Sequence, residues 1–136
     1  MFIDYILKDT KTKEDLDNII ELYGINYQDQ EGNGFLHYFS KTGKIDLLSH
    51  LVKKEKFNVN LKNNFGRTAL YEALNEDTVE FLLKYRIDHR SLDYEKKRAE
   101  EVNQFVNFIM KKKCNETKKK IMNTFMGQMP GLYKPE

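Results

Sequence analysis

Apolar residues fall at one- and three-to-four-residue steps over several short stretches of the chain, with polar turns between them. Phe35, Leu36 and Phe39 trace one helical stripe, and Ile45, Leu47, Leu48, Leu51 and Val52 trace a second. Gly32 and Gly34 precede the first stripe and Gly43 divides the two. "EGNGFLHYFSKTGKIDLLSHLV" therefore predicts two short helices, entered through a tight turn and joined by another. A helical hairpin of this size cannot bury its own apolar face. Further copies must lie beside it.

The sequence supplies them. Asp29 and Asn63, Gly32 and Gly66, Leu36 and Leu70, and Asn26 and Asn60 all recur at an offset of 34. A period in this range marks a stacked repeat. An Asx residue followed three positions later by Gly suits a turn, because Asx bonds nearby backbone and Gly accepts positive φ. In the second unit Ala69, Leu70, Ala73 and Leu74 predict the first helix. Val79, Phe81, Leu82 and Leu83 predict the next, started by Asp77 and Glu80. Leu36 to Leu51 spans 15 residues and Leu70 to the matching Leu82 spans 12, so the second unit has lost about one helical turn.

Both flanks look like edge copies. Leu16, Ile19, Ile20 and Tyr23 share a helical face, with Thr12 and Asp15 as a capping pair and Gly24 as a stop; residues 2–8 predict a helix before it. At 93–113 a degenerate last copy places Arg98-Ala99 at an offset of 30 from Thr68-Ala69. Beyond it, Ile121, Met122, Phe125 and Met126 predict a short amphipathic helix ended by Gly127, Pro130 and Gly131. It is expected to fold back over the last unit and cap the stack.

These residues resemble the ankyrin repeat, whose pattern runs Asp-x-x-Gly-x-Thr-Pro-Leu-His-x-Ala-Ala, then Gly-His and a Leu-Leu helix. Asp29, Gly32, Leu36, His37 and Gly43 sit on family positions in one unit, and Asn63, Gly66, Thr68, Leu70 and Ala73 in the next. Gly34 stands for Thr, Phe35 and Ala69 for Pro, and Tyr71 for the second His. The resemblance implies an all-α solenoid of stacked helix-turn-helix units with a C-terminal helical extension. Its divisions are an ankyrin domain over 1–114 (N-cap 1–28, repeats 29–62 and 63–92, C-cap 93–114) and an extension over 115–136.

The resemblance also implies a use. In ankyrin stacks the turn tips and the exposed face of the first helices line a concave groove that binds another protein, and the His position ties neighbouring turns together. The positions carried over are Gln30, Glu31, Asn33, Tyr38 and Lys41 from one unit, Asn64, Phe65, Arg67, Tyr71, Glu72 and Glu76 from the next, and Tyr94 and Lys97 from the last. Phe65, Arg67, Tyr38 and Tyr71 are the expected anchors, being the types that carry binding energy at interfaces. So short an array suits a protein that masks or inhibits one target, such as an immunity or antitoxin-like inhibitor or a binder of a host factor. It is expected to be monomeric when free.

Charge sharpens the partner. Residues 1–35 carry three Lys against eight Asp or Glu, a balance of −5, whereas residues 111–136 carry seven Lys against two Glu, or +5. The acidic third predicts a partner that is basic where it faces residues 1–35. "KKKCNETKKK" at 111–120 is the basis of the alternative, a nucleic-acid-associated protein. It lacks Arg and interleaved aromatics, so a solvated helix end is the preferred reading.

No constellation for catalysis emerges. His37, His50 and His89 form no pair at ligand spacing and Cys114 is the single cysteine, so no zinc site, cofactor or internal disulfide is expected. No glycine loop precedes a Lys-Ser/Thr pair. Ser40, Ser49 and Ser91 lack a nucleophile-elbow context. Glu14, Asp15 and Asp17 read as a solvated helix start rather than a carboxylate pair. The chain is expected to be no enzyme. Without an apolar run near the roughly 18 residues of a membrane span, and without a basic leader before the opening "MFIDYIL", it is expected in the cytoplasm, or in host cytosol if an effector.

Overall fold

The computed structural model describes residues 2–127, with side chains as far as Phe125. The regular elements are α1 (Ile3–Leu7), α2 (Lys13–Tyr23), α3 (Phe35–Thr42), α4 (Ile45–Val52), a 3-10 turn (Ala69–Glu72), α5 (Glu76–Lys84), α6 (Ala99–Val102) and α7 (Gln104–Gly127). Among the described residues there is no strand. α1, α3, the 3-10 turn and α6 pack in succession as an inner layer; behind them α2 lies on α4, and α5 on α7. One core runs the length of the stack, from Ile3 and Leu7 through Leu36, Leu48, Leu70 and Leu82 to Val106 and Ile109. Full burial of each such side chain contributes about 1.5–3 kcal/mol, so the contacts between units hold the fold.

Local sequence sets the helix ends. Thr12 Oγ1 accepts the Asp15 N–H at 3.1 Å while the Asp15 carboxylate accepts the Lys11 and Thr12 N–H groups, satisfying donors that α2 leaves unpaired. Those backbone bonds, led by that from Lys11, hold the Asp15 carboxyl below its usual range. Gly24 at φ 92° ends α2, and Gly43 at φ 70° ends α3 in the left-handed region. The expected start of α5 at Asp77 and Glu80 is corrected to Asn75, whose Oδ1 accepts both the Thr78 N–H and hydroxyl.

The second unit is shortened more than its spacing implies. Its first helix is a single 3-10 turn, and Ala73 leaves it with extended backbone at φ −55°, ψ 126°. Leu74 therefore falls off the helical stripe and is not a core residue, as its position had implied; it is 49% exposed. Its N–H donates to the Ser40 carbonyl, and the end of its side chain lies over Gly43, 2.8 Å from where a Cβ would stand.

Each unit is joined to the next by a five-residue tip: 29–33, 63–67 and 93–97. In every tip the first residue's Oδ1 accepts the N–H groups two and four positions on, at 2.9–3.1 Å. The fourth position is left-handed each time: Gly32 at φ 81°, Gly66 at φ 76° and Lys96 at φ 62°. The Asn64 N–H donates to the Glu31 carbonyl and the Tyr94 N–H to that of Phe65, so the tips form a ladder. Asn26 and Asn60 do the same work lower down: Asn26 accepts the Asn58 N–H and Asn60 that of Asp88. Lys96 is the one tip residue with a Cβ in the left-handed region, which costs about 1–2 kcal/mol. Lys96→Gly is accordingly expected to stabilise the protein by about 1 kcal/mol after the entropy of a freer unfolded chain is subtracted. Equilibrium urea unfolding checks it through an unchanged slope and a higher midpoint.

The C-terminal segment does not fold back. α7 continues unbroken through the boundary expected at residue 114, and Ile121 and Phe125 are 64% and 53% exposed. The reason is local: from residue 104 no Gly or Pro occurs before Gly127, and Lys, Glu and Met sustain a helix. The Met126 side chain, Pro130 and Gly131, to which the cap and its stop were also assigned, lie outside the described residues.

Candidate protein-binding groove

The inner layer and the tips enclose an open groove of about 680 Å³. Its floor is α1, α3 and the 3-10 turn, and its rim is the three tips. Phe2, Tyr5, Tyr38 and Phe65 supply aromatic surface, while Asp4, Glu31, Glu72 and Glu95 outnumber Lys41 and Arg67. Lys41 Nζ stands 3.8 Å from the Asp4 carboxylate, a loose and exposed pair of small energetic weight.

Beneath the groove a histidine fixes the tips to the floor. His37 is buried on α3, where its Nδ1 accepts the Gly34 N–H at 3.1 Å and its Nε2 donates to the Arg67 carbonyl at 2.8 Å. This is the tie that the ankyrin resemblance implied. Both contacts require a neutral ring with its proton on Nε2. Burial is the larger influence and pushes the imidazole below its ordinary pKa, against the opposing pull of the Arg67 carbonyl.

Of the residues carried over from sequence, Glu31, Asn33, Tyr38, Lys41, Phe65, Arg67 and Glu72 line the groove. Phe65 is 61% exposed at its tip and does not tuck under the neighbouring one. Arg67 lines the wall but is spent on the frame: its Nε donates to the Asp93 carboxylate at 3.1 Å and its guanidinium lies 5.6 Å from the Tyr71 ring centre. The backbone N–H of Lys97, and next to it the Arg67 guanidinium, hold the Asp93 carboxyl below its usual range against the opposing pull of desolvation.

The other six carried-over positions lie outside the groove lining. Tyr71 is buried rather than presented, its hydroxyl shared between the carbonyls of Ser91 and Lys97 at 2.8 and 2.6 Å. With no second histidine in that place, the phenol ties the second and third units. Asn64 uses its amide on the Gln30 carbonyl, 34 residues away, so both belong to the tip ladder. Glu76 opens α5, because the 3-10 turn ends earlier than a full first helix would, and it does not line the groove. Tyr94 and Lys97 are exposed on the last tip, outside the groove lining, with Tyr94 resting over Gly66.

Phe2, Asp4 and Tyr5 line the groove and were missed. Their signal is a second offset: Phe2, Tyr5 and Lys8 stand 33 residues before Phe35, Tyr38 and Lys41. Among the described residues no cluster of His, Cys, Asp and Glu could hold a metal ion, and no helix is long and apolar enough to cross a membrane.

Two helical layers, hydrogen-bonded tips and a concave groove define a repeat solenoid. The profile for ankyrin repeats in three copies matches residues 6–93, and the chain belongs to the ankyrin-repeat family. It is 34% identical over 62 residues to an ankyrin repeat protein of Acanthamoeba polyphaga mimivirus; the match covers 43% of this chain but only 8% of that protein's length. The crystal structure of EF0377, an ankyrin repeat protein, is similar in fold, with a TM-score of 0.60 and 23% identity over 72% of this chain and 57% of that one. Ankyrin repeats are in general protein–protein interaction modules.

Proposed function

We propose that this protein binds a partner protein in the concave groove and masks the surface it covers, acting as a stoichiometric inhibitor rather than as an enzyme. The observation that carries the reading is Phe65: a large aromatic side chain left exposed at a tip, on the wall of a groove whose free charges are mainly carboxylates. A frame has no use for it there, whereas a few exposed aromatic anchors dominate most interfaces. The partner presents a basic segment, because Asp4, Glu31, Glu72 and Glu95 face it with few compensating cations.

Phe65→Ala is expected to weaken binding by roughly 1–4 kcal/mol with an unchanged melting temperature, since the exposed ring packs little. The measurement is calorimetric titration against the partner captured from the native cell, with a thermal melt alongside. Wild-type affinity in Phe65→Ala, together with loss of binding when the exposed outer-layer residues Asp46 and Glu80 are changed to Lys, would move the site to the convex side.

A further inference from the structure

We infer that the lysine-rich end of α7 docks in the concave groove of a second copy of this chain. The inference rests on the groove being the partner-binding surface, and it adds an occupant that the molecule itself carries. Beyond Met110, α7 leaves the stack, and from Lys111 to Phe125 every side chain but that of Asn123 is exposed. Steps of seven and four residues put Cys114, Ile121 and Phe125 on one stripe. The same periodicity sets Lys111 and Lys118 along one edge of that stripe, and Lys113 and Lys120 along the other. Residues 111–120 hold six Lys and one Glu.

The groove is the complement of this helix. Its carboxylates, Asp4, Glu31, Glu72 and Glu95, face two cations, of which Arg67 is already held by Asp93. Phe2, Tyr5 and Phe65 stand at least half exposed between them, offering apolar contact to Ile121 and Phe125 and ring faces to the lysines. The occupant must come from another copy. α1 and α7 pack at opposite ends of the stack, α1 on α2 and α3, α7 on α5 and α6. One unbroken helix cannot turn back to reach its own groove. The free part extends about 25 Å at 1.5 Å per residue, enough to lie along a neighbour's inner layer. The contact is head-to-tail, so a dimer keeps one groove and one tail unused and lengthens as concentration rises. This replaces the monomer expected from sequence with weak, salt-sensitive self-association in which the tail competes with any other partner.

Sedimentation velocity on the full chain tests it, at about 50 mM and about 500 mM salt, which differ severalfold in screening length. The expected result is association at low salt that reverses at high salt. Lys118→Glu with Lys120→Glu, and separately Glu31→Lys with Glu95→Lys, should each be monomeric; all four sites are exposed, and thermal melts verify that both variants fold. Mixing the two variants in equal amounts should restore a dimer and nothing larger, because one keeps a working groove and the other a working tail. A wild-type chain that stays monomeric at low salt overturns the inference, as does association seen only with added duplex DNA. So does a groove variant that associates like wild type, since the tail then docks elsewhere; the Phe65 titration still judges the groove's use for a foreign partner. A mixture of folded variants that stays monomeric overturns it as well.

Discussion

Gly32→Val is expected to lower the melting temperature further than the same change at Gly66, and far further than at Gly24. All three glycines have positive φ, at 81°, 76° and 92°, so each variant carries backbone strain of about 1–3 kcal/mol. What differs is the space. A Cβ at Gly24 meets nothing within 4 Å. At Gly66 it meets the Tyr94 ring at 2.7 Å and the Tyr94 backbone nitrogen at 3.0 Å. At Gly32 it meets the Asn64 nitrogen at 2.7 Å and the Asn63 carbonyl carbon at 2.9 Å. A ring can rotate, but the backbone of the next tip cannot retreat without opening the Asn64-to-Glu31 bond. Overpacking adds about 1–3 kcal/mol, so Gly32→Val should cost about 2–6 kcal/mol in all, a large part of the 5–15 kcal/mol typical of a domain. Denaturant unfolding of the three variants gives the order. Equal losses at all three sites would mean that strain alone matters and that the tips do not press on one another.

His37→Ala should cost about 3 kcal/mol, combining a cavity with the loss of two buried hydrogen bonds. It should also remove a pH dependence. The buried ring's folded pKa lies below its ordinary value of 6.5, so the unfolded chain takes up the proton first. Stability from the neutral ring is complete above the unfolded pKa and is lost as pH falls below it toward the depressed folded value. Unfolding free energies of wild type measured downward from neutral pH should fall through this window, and those of His37→Ala should fall less. Parallel curves would show that His37 does not govern acid sensitivity here.

The fold was legible because the tips announce themselves. An Asx residue and a left-handed glycine three positions later are short-range chemistry, and their recurrence at 34 residues needs no tertiary knowledge. His37, Thr12 with Asp15, and the apolar stripes of α3 and α4 were readable for the same reason. The bodies of the units were harder. Nothing local distinguishes a 3-10 turn at Ala69–Glu72 from a helix, since the tertiary run of Leu74 toward Ser40 ends it. Exposure at the site was harder still. Tyr71 stands where His37 stands one unit earlier and is buried because Ser91 and Lys97 offer carbonyls to its hydroxyl, whereas Tyr38, one place along, lines the groove. Arg67 resembled a free anchor until Asp93 came within reach across a turn 26 residues away.

The tips keep one geometry although their spacing changes from 34 residues to 30. The whole difference is absorbed in the unit body, where a 3-10 turn replaces a helix, and none of it reaches the connector. Insertions and deletions within a body should therefore be tolerated where a single added residue in a tip is not. Units of unequal length can be spliced, duplicated or exchanged so long as the five-residue joint is kept whole. The floor of the groove can then change without redesigning how one unit grips the next.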